Sequence, residues 1–132
     1  MYTLRLATIL ALLTTPTLAD EVWDTDMGPI VYEAEEGGTA IFSFTNVDAY
    51  PAKLIIPGLA GNYSNRGTHD AYWIGQGAGE CAAFMSRTGV SESSQWGRAQ
   101  LVFDKPAYPT SVTVVLGFCE EEPTIVLRGE IR

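Results

Sequence analysis

His69 is the only histidine of the chain, which excludes an imidazole cluster for zinc and leaves no second histidine for general-base work. Asp70 follows it, and a hydroxyl from Ser64 or Ser86 would complete an acyl-transfer triad. Neither serine stands in the Gly-x-Ser-x-Gly turn that exposes such a nucleophile. His69 therefore reads as a histidine at a loop-strand junction, able to respond to pH beside Asp70. The chain has 16 Asp and Glu residues, and glycoside hydrolysis asks for two carboxylates, one of them held protonated by its surroundings. Six of these acids fall in runs beside turns, around Glu33, Glu35 and Glu36 and at Glu120, Glu121 and Glu122, which read as solvated faces. None is isolated on an apolar strand face, where a raised pKa is expected. A carboxylate-based hydrolase is accordingly the third reading.

Asp24-Thr25-Asp26-Met27-Gly28 begins like a calcium loop, with Glu35 where an EF-hand places its bidentate ligand. The match fails at Gly28, which replaces the third ligand, and at Pro29, where the sharp-turn glycine belongs. No metal and no cofactor are assigned, although an irregular oxygen cage on Asp24 and Asp26 stays open. The two cysteines, Cys81 and Cys119, lie far apart in sequence, unlike any Cys-x-x-Cys motif, and read as one disulfide. The loop so closed is worth about 3.5 to 4 kcal/mol by chain entropy.

Aromatic residues are the notable surplus. Trp23, Tyr50, Tyr63, Tyr72, Trp73, Trp96 and Tyr108 fall at expected loops or strand edges. Exposed Trp and Tyr suit sugar rings and protein hot spots, whereas buried ones fill small β cores with the polar tip satisfied. Tyr63, Tyr72, Trp73 and Trp96 are the binding candidates. Tyr72 and Trp73 are adjacent, so in a strand they face opposite ways.

These residues sit in a chain of 132 residues with 8 Lys and Arg, a net charge of −8 and 46% hydrophobic content. That is one domain with enough apolar content for a real core. The acidity argues against nucleic acid and against anionic membranes. Residues 1–19 carry Arg5, a short apolar run from Leu6 to Leu13, and Thr17-Leu18-Ala19 with small residues where a signal peptidase reads. This layout predicts a secretory signal peptide, leaving residues 20–132 as the mature domain with no membrane anchor. A secreted or periplasmic location follows, and loss of Arg5 sharpens the acidity. Asn62-Tyr63-Ser64 forms an N-glycosylation sequon, relevant only where that machinery exists.

From Pro29 onward the chain reads as short alternating or β-branched runs broken by Gly, Pro, Asn and Asp. Strands are expected at Ile30–Ala34 and Thr39–Thr45, joined by a hairpin through Gly37 and Gly38, where only Ile41 breaks the alternation. Further strands are expected at Lys53–Ile56, Ala71–Ile74, Ser111–Cys119 and Thr124–Ile131. Glu80–Ser86 and Trp96–Phe103 read as a second hairpin across a long polar loop, Arg87 to Gln95. Ala99, Leu101 and Phe103 are predicted to face the core, as are Val112, Val114, Leu116 and Phe118. About seven or eight strands with no helix predict an all-β domain, an antiparallel β-sandwich or a small β-barrel with one disulfide. The segment Trp96 to Leu101 is similar, over a short stretch, to small disulfide-bonded β-barrel lysozyme inhibitors; a match that short is at chance level, so no family or residue role is taken from it.

The functional expectation is a non-enzymatic binding module that recognises a protein or glycan surface of the cell envelope through its loops, steered toward basic partners by Glu120, Glu121 and Glu122. The alternative is a small-molecule carrier with a ligand cavity inside a barrel.

Overall fold

The computed structural model describes residues 21–46, 48–60, 67–76, 79–87, 90–106 and 109–132. The predicted signal peptide, the sequon, Tyr63 and Tyr108 lie outside them. Among the described residues ten strands form: β1 (Val22–Thr25), β2 (Gly28–Glu36), β3 (Thr39–Thr45), β4 (Pro51–Pro57), β5 (Thr68–Ile74), β6 (Met85–Arg87), β7 (Val90–Ser93), β8 (Trp96–Phe103), β9 (Val112–Leu116) and β10 (Ile125–Ile131). Eight of them close an antiparallel barrel, and β6 and β7 make a separate two-stranded sheet. Of the two expected architectures, the chain adopts the barrel. Apart from the β6–β7 excursion, every barrel strand pairs with its neighbours in sequence, so the path is an up-and-down meander.

Alternation builds the interior. Trp23, Ile30, Tyr32, Phe42, Leu54, Leu101, Val112 and Val114 point inward and are buried. Trp23 stacks on Phe42 with ring centroids 5.5 Å apart, and Tyr32 meets the same ring at 4.7 Å. The Trp23 indole N–H donates to the Thr110 carbonyl at 2.8 Å, so its one polar atom is satisfied inside. Gly129 makes room for it, since a methyl there would lie 2.9 Å from both Trp23 Cβ and Val112 Cγ2. The β2–β3 hairpin turns on Gly37 and Gly38 at φ of 55° and 86°, the doubly positive geometry of a type I′ turn.

The Ile41 irregularity has a structural cause. A second buried cluster lies on the outside of the barrel, made of Ile41, Ile55, Ile74, Met85 and Trp96, with Ala34, Tyr72 and Val90 packed against it. The β6–β7 hairpin covers this patch. A bulge between Tyr32 and Ala34 re-registers β2, so that Tyr32 pairs with inward Phe42 while Ala34 pairs with outward Ile41.

The cover also corrects the expected second hairpin. β8 pairs with β5 and β9, not with residues 80–86. The segment between β5 and β8 is itself an elaborate connection: β7 forms within the stretch read as a polar loop and pairs with β6. Val22–Thr25 forms a strand that the sequence reading left unassigned. Phe118 is not on the core face, because β9 ends at Leu116 and the chain turns through Cys119 at φ 54°.

Candidate functional site

Four connections meet at one end of the barrel: the β1–β2 turn, the β3–β4 loop, the β5–β8 excursion and the β9–β10 loop. The β3–β4 loop is organised by Asn46, whose buried Oδ1 accepts the backbone N–H groups of Asp48 at 3.0 Å and Tyr50 at 3.1 Å. Asp48 and Tyr50 are thereby held outward, and Tyr50 is 61% exposed. The β5–β8 excursion is pinned by Gly75 N–H to the Gln95 carbonyl (2.7 Å) and Cys81 N–H to the Ser94 carbonyl (3.2 Å). The β9–β10 loop folds back on β8, with Gly117 N–H to the Arg98 carbonyl (2.8 Å) and Cys119 N–H to the Trp96 carbonyl (2.9 Å). The Cys81–Cys119 disulfide, with Cα atoms 5.5 Å apart, staples the last two connections together.

A pocket of about 220 Å³ opens between them, lined by Asp48, Trp73, Glu80, Trp96, Phe118 and the disulfide, among others. Trp73 is 2% exposed and donates its indole N–H to the Gly117 carbonyl at 2.6 Å. Trp96 is 4% exposed and donates to the Ala83 carbonyl at 2.9 Å. Both therefore build the floor rather than present a free ring face, because each buried indole N–H has found a carbonyl. Phe118 stands edge-on to Trp73 at 6.0 Å and is 40% exposed. Gly97 is required for this packing: a methyl there would meet the Gly117 carbonyl at 1.9 Å and Trp73 Nε1 at 2.3 Å.

The rim is acidic. Asp48 and Glu80 are exposed, and among the described residues no Lys, Arg or His lines the pocket. Glu120, Glu121 and Glu122 are exposed on the loop that carries Phe118 and Cys119. Phe84, 66% exposed, follows the Ala83 carbonyl that receives Trp96. The structure thus gathers Trp73, Trp96, Cys81 and Cys119 around one pocket and sets the three glutamates beside it. Sequence reading named Tyr50 in the aromatic surplus and expected Phe118 in the core, but made none of Asp48, Tyr50, Glu80, Phe84 and Phe118 a binding candidate. Phe118 had a usable signal: it stands next to a disulfide cysteine.

Tyr72 lies elsewhere, on the outer wall of β5. Its half-buried ring is 6.4 Å from Trp96, with the Arg87 guanidinium carbon 5.0 Å from its centroid. It lines a second, polar groove of about 320 Å³ with Asp70, Arg98, Gln100, Glu122 and Pro123. His69 sits edge-on to Phe103 at 6.2 Å, its Nε2 buried without a hydrogen-bond partner. Ser64 lies outside the described residues, and among the described residues no serine hydrogen-bonds to His69.

Asp24, one of the two acids of the open calcium reading, is ion-paired with Arg132. Arg132 donates to both of its carboxylate oxygens, at 2.6 and 3.3 Å, and this hydrogen-bonded guanidinium holds the Asp24 carboxyl below its ordinary value. Among the described residues no group of three or more His, Cys, Asp or Glu is placed to share a metal ion.

No protein-family model matches this chain, and neither a curated protein nor a solved structure matches it.

Proposed function

We propose that this protein is a non-enzymatic binding module of an oxidising secretory compartment, which docks a basic protein surface on the loop end of its barrel. The carrying observation is the pocket that the exposed Phe118 ring lines together with Asp48 and Glu80, with no cation lining it among the described residues. An arginine or lysine of the partner suits that arrangement, its stem against the exposed ring and its charge toward the two acids. Tyr50 and Phe84 extend the apolar contact, and Glu120, Glu121 and Glu122 steer the approach. Side chains from Trp23 to Val114 occupy the barrel interior, which favours recognition at the surface over carriage of a cargo inside. The formed disulfide and the predicted signal peptide agree with the compartment.

The test is capture of partners from the protein's own secretory compartment by the oxidised mature chain, compared with the Asp48→Lys/Glu80→Lys variant. Retained partners should have basic surfaces, bind more weakly as salt rises, and be lost by the variant while a Glu36→Lys control at the opposite end keeps them. Equal capture by all three proteins would overturn the reading.

A further inference from the structure

Several charges of the barrel wall are tied up in ion pairs: Lys53 with Glu33, Arg128 with Asp104 and Arg132 with Asp24. The groove beside Tyr72 is different. Asp70, Arg98 and Glu122 all line it, yet among the described residues none of the three is in an ion pair. The Tyr72 hydroxyl and the Gln100 amide, on the same groove, form no hydrogen bond among the described residues. The Arg98 guanidinium donates to the Glu120 carbonyl at a long 3.4 Å. Polar side chains gathered in one concavity and left without partners from the fold are free to meet a ligand.

Strand register sets the arrangement. Ala71, Ala99, Leu101, Val114 and Leu127 are buried in the lumen, so their neighbours along β5, β8, β9 and β10 point outward. Asp70 pairs with Gln100, Gln100 with Val115 and Val115 with Val126, which makes one outward row across four strands. At the usual strand spacing this row is about 14 Å long. Its polar half is Asp70 and Gln100, and Tyr72 pairs with Arg98 on the next outward rung. Its apolar half is Val115, which lines the groove, and Val126, which continues the row and is 61% exposed.

The chemistry of the groove selects the occupant. Its carboxylates accept, its guanidinium donates, and its amide and phenol do both. A ligand that meets all of them carries groups that donate and accept at short intervals, as sugar hydroxyls do, while the valines suit the C–H face of a pyranose ring. An extended peptide offers a similar mixture in its main chain, but β5, β8 and β9 are each paired on both sides and leave no backbone edge for it. Two carboxylates against one guanidinium disfavour an acidic sugar.

We propose that this groove binds a neutral oligosaccharide, with Asp70, Arg98 and Gln100 hydrogen-bonding the hydroxyls of one ring and Val115 and Val126 carrying the apolar face of the next. The groove, about 320 Å³, is at the small end of the about 300–1,000 Å³ usual for ligand sites, which suits a ring or two rather than a long chain. It shares no lining residue with the pocket at the loop end, so the two sites stand or fall separately.

The experiment applies the oxidised protein to an array of neutral, amino and acidic oligosaccharides, then titrates the best-retained one while amide chemical shifts are followed. Neutral oligosaccharides should be retained, with the largest shifts at residues 70–72, 98–100 and 114–116. Asp70→Ala/Gln100→Ala should weaken binding about tenfold, and Val126→Ser should weaken it less. Neither Asp70 nor Gln100 is bonded through its side chain within the described fold, so the double variant should unfold thermally like the wild type, which is measured alongside. Asp48→Lys/Glu80→Lys should bind the oligosaccharide unchanged. Retention of no oligosaccharide, preference for acidic ones, shifts confined to other residues, or indifference to Asp70→Ala/Gln100→Ala would overturn the inference. Loss of the oligosaccharide in Asp48→Lys/Glu80→Lys would place it in the loop-end pocket and overturn it too. A captured protein lost by Asp70→Ala/Gln100→Ala, with no oligosaccharide retained, would assign the groove to a protein surface, which also defeats it.

Discussion

Phe42 and Ile41 are neighbours in β3, yet one is buried in the lumen and the other on the outside of the barrel under the cover hairpin. The lumen is enclosed on all sides by eight paired strands and filled by interlocking aromatic rings. The outer patch is roofed by two short strands whose attachments are a few apolar side chains, backbone bonds near Gly75 and Cys81, and one disulfide. Burial alone does not distinguish the two; enclosure does. A void in the lumen cannot be relieved without moving several strands, whereas the hairpin can settle onto a void beneath it.

That contrast orders the expected losses. Phe42→Ala removes the ring against which both Trp23 and Tyr32 pack, and should lower the unfolding free energy by about 3–5 kcal/mol in urea titration. Replacing Cys81 and Cys119 together by Ala should cost about 2–4 kcal/mol. Its effect should be uneven: amide exchange should accelerate first in β6, β7 and residues 79–84, with the lumen strands still protected. Uniform acceleration would mean that cover and barrel unfold as one unit. Ile41→Ala should cost about 2 kcal/mol, the low end for a buried aliphatic truncation, because the cover can close the gap. A loss as large as that of Phe42→Ala would break the distinction between the two regions.

The same contrast decides what could be read before the structure. Lumen residues alternate against a solvated outer face, so Ala99, Leu101 and Phe103 declared their direction, and the expected bounds of Thr39–Thr45 and Trp96–Phe103 match the strands. The paired glycines marked the first hairpin, and the cysteine count marked the bridge. The covered patch obeys no alternation, because β3, β4 and β5 are buried there on both faces. Ile41 was its visible trace, and nothing in the polar run from Arg87 to Gln95 announced a strand. The pocket was legible in part. Trp73 and Trp96 were found, but a tryptophan's type does not say whether its indole N–H meets a carbonyl of the fold. Asp48 and Glu80 were lost among sixteen acids, since only loop packing sets these two beside Phe118.

The smallest expected effect tests how the barrel is closed rather than how it is filled. β1 meets β10 through Trp23 paired with Ile131 and Asp24 with Glu130, and the exposed Asp24–Arg132 ion pair lies over that seam. Arg132 lowers the Asp24 pKa by hydrogen bonding and charge. A carboxyl whose pKa is lower folded than unfolded stabilises the fold above its unfolded value, about 3.9, and loses that contribution as pH falls through the folded value. Stability of the wild type should therefore fall more steeply below about pH 4 than that of Arg132→Gln, and the two curves should converge in strong acid. Because the pair is exposed, raising the salt concentration should shrink the difference. Parallel acid limbs at low salt would show that backbone pairing alone holds the seam.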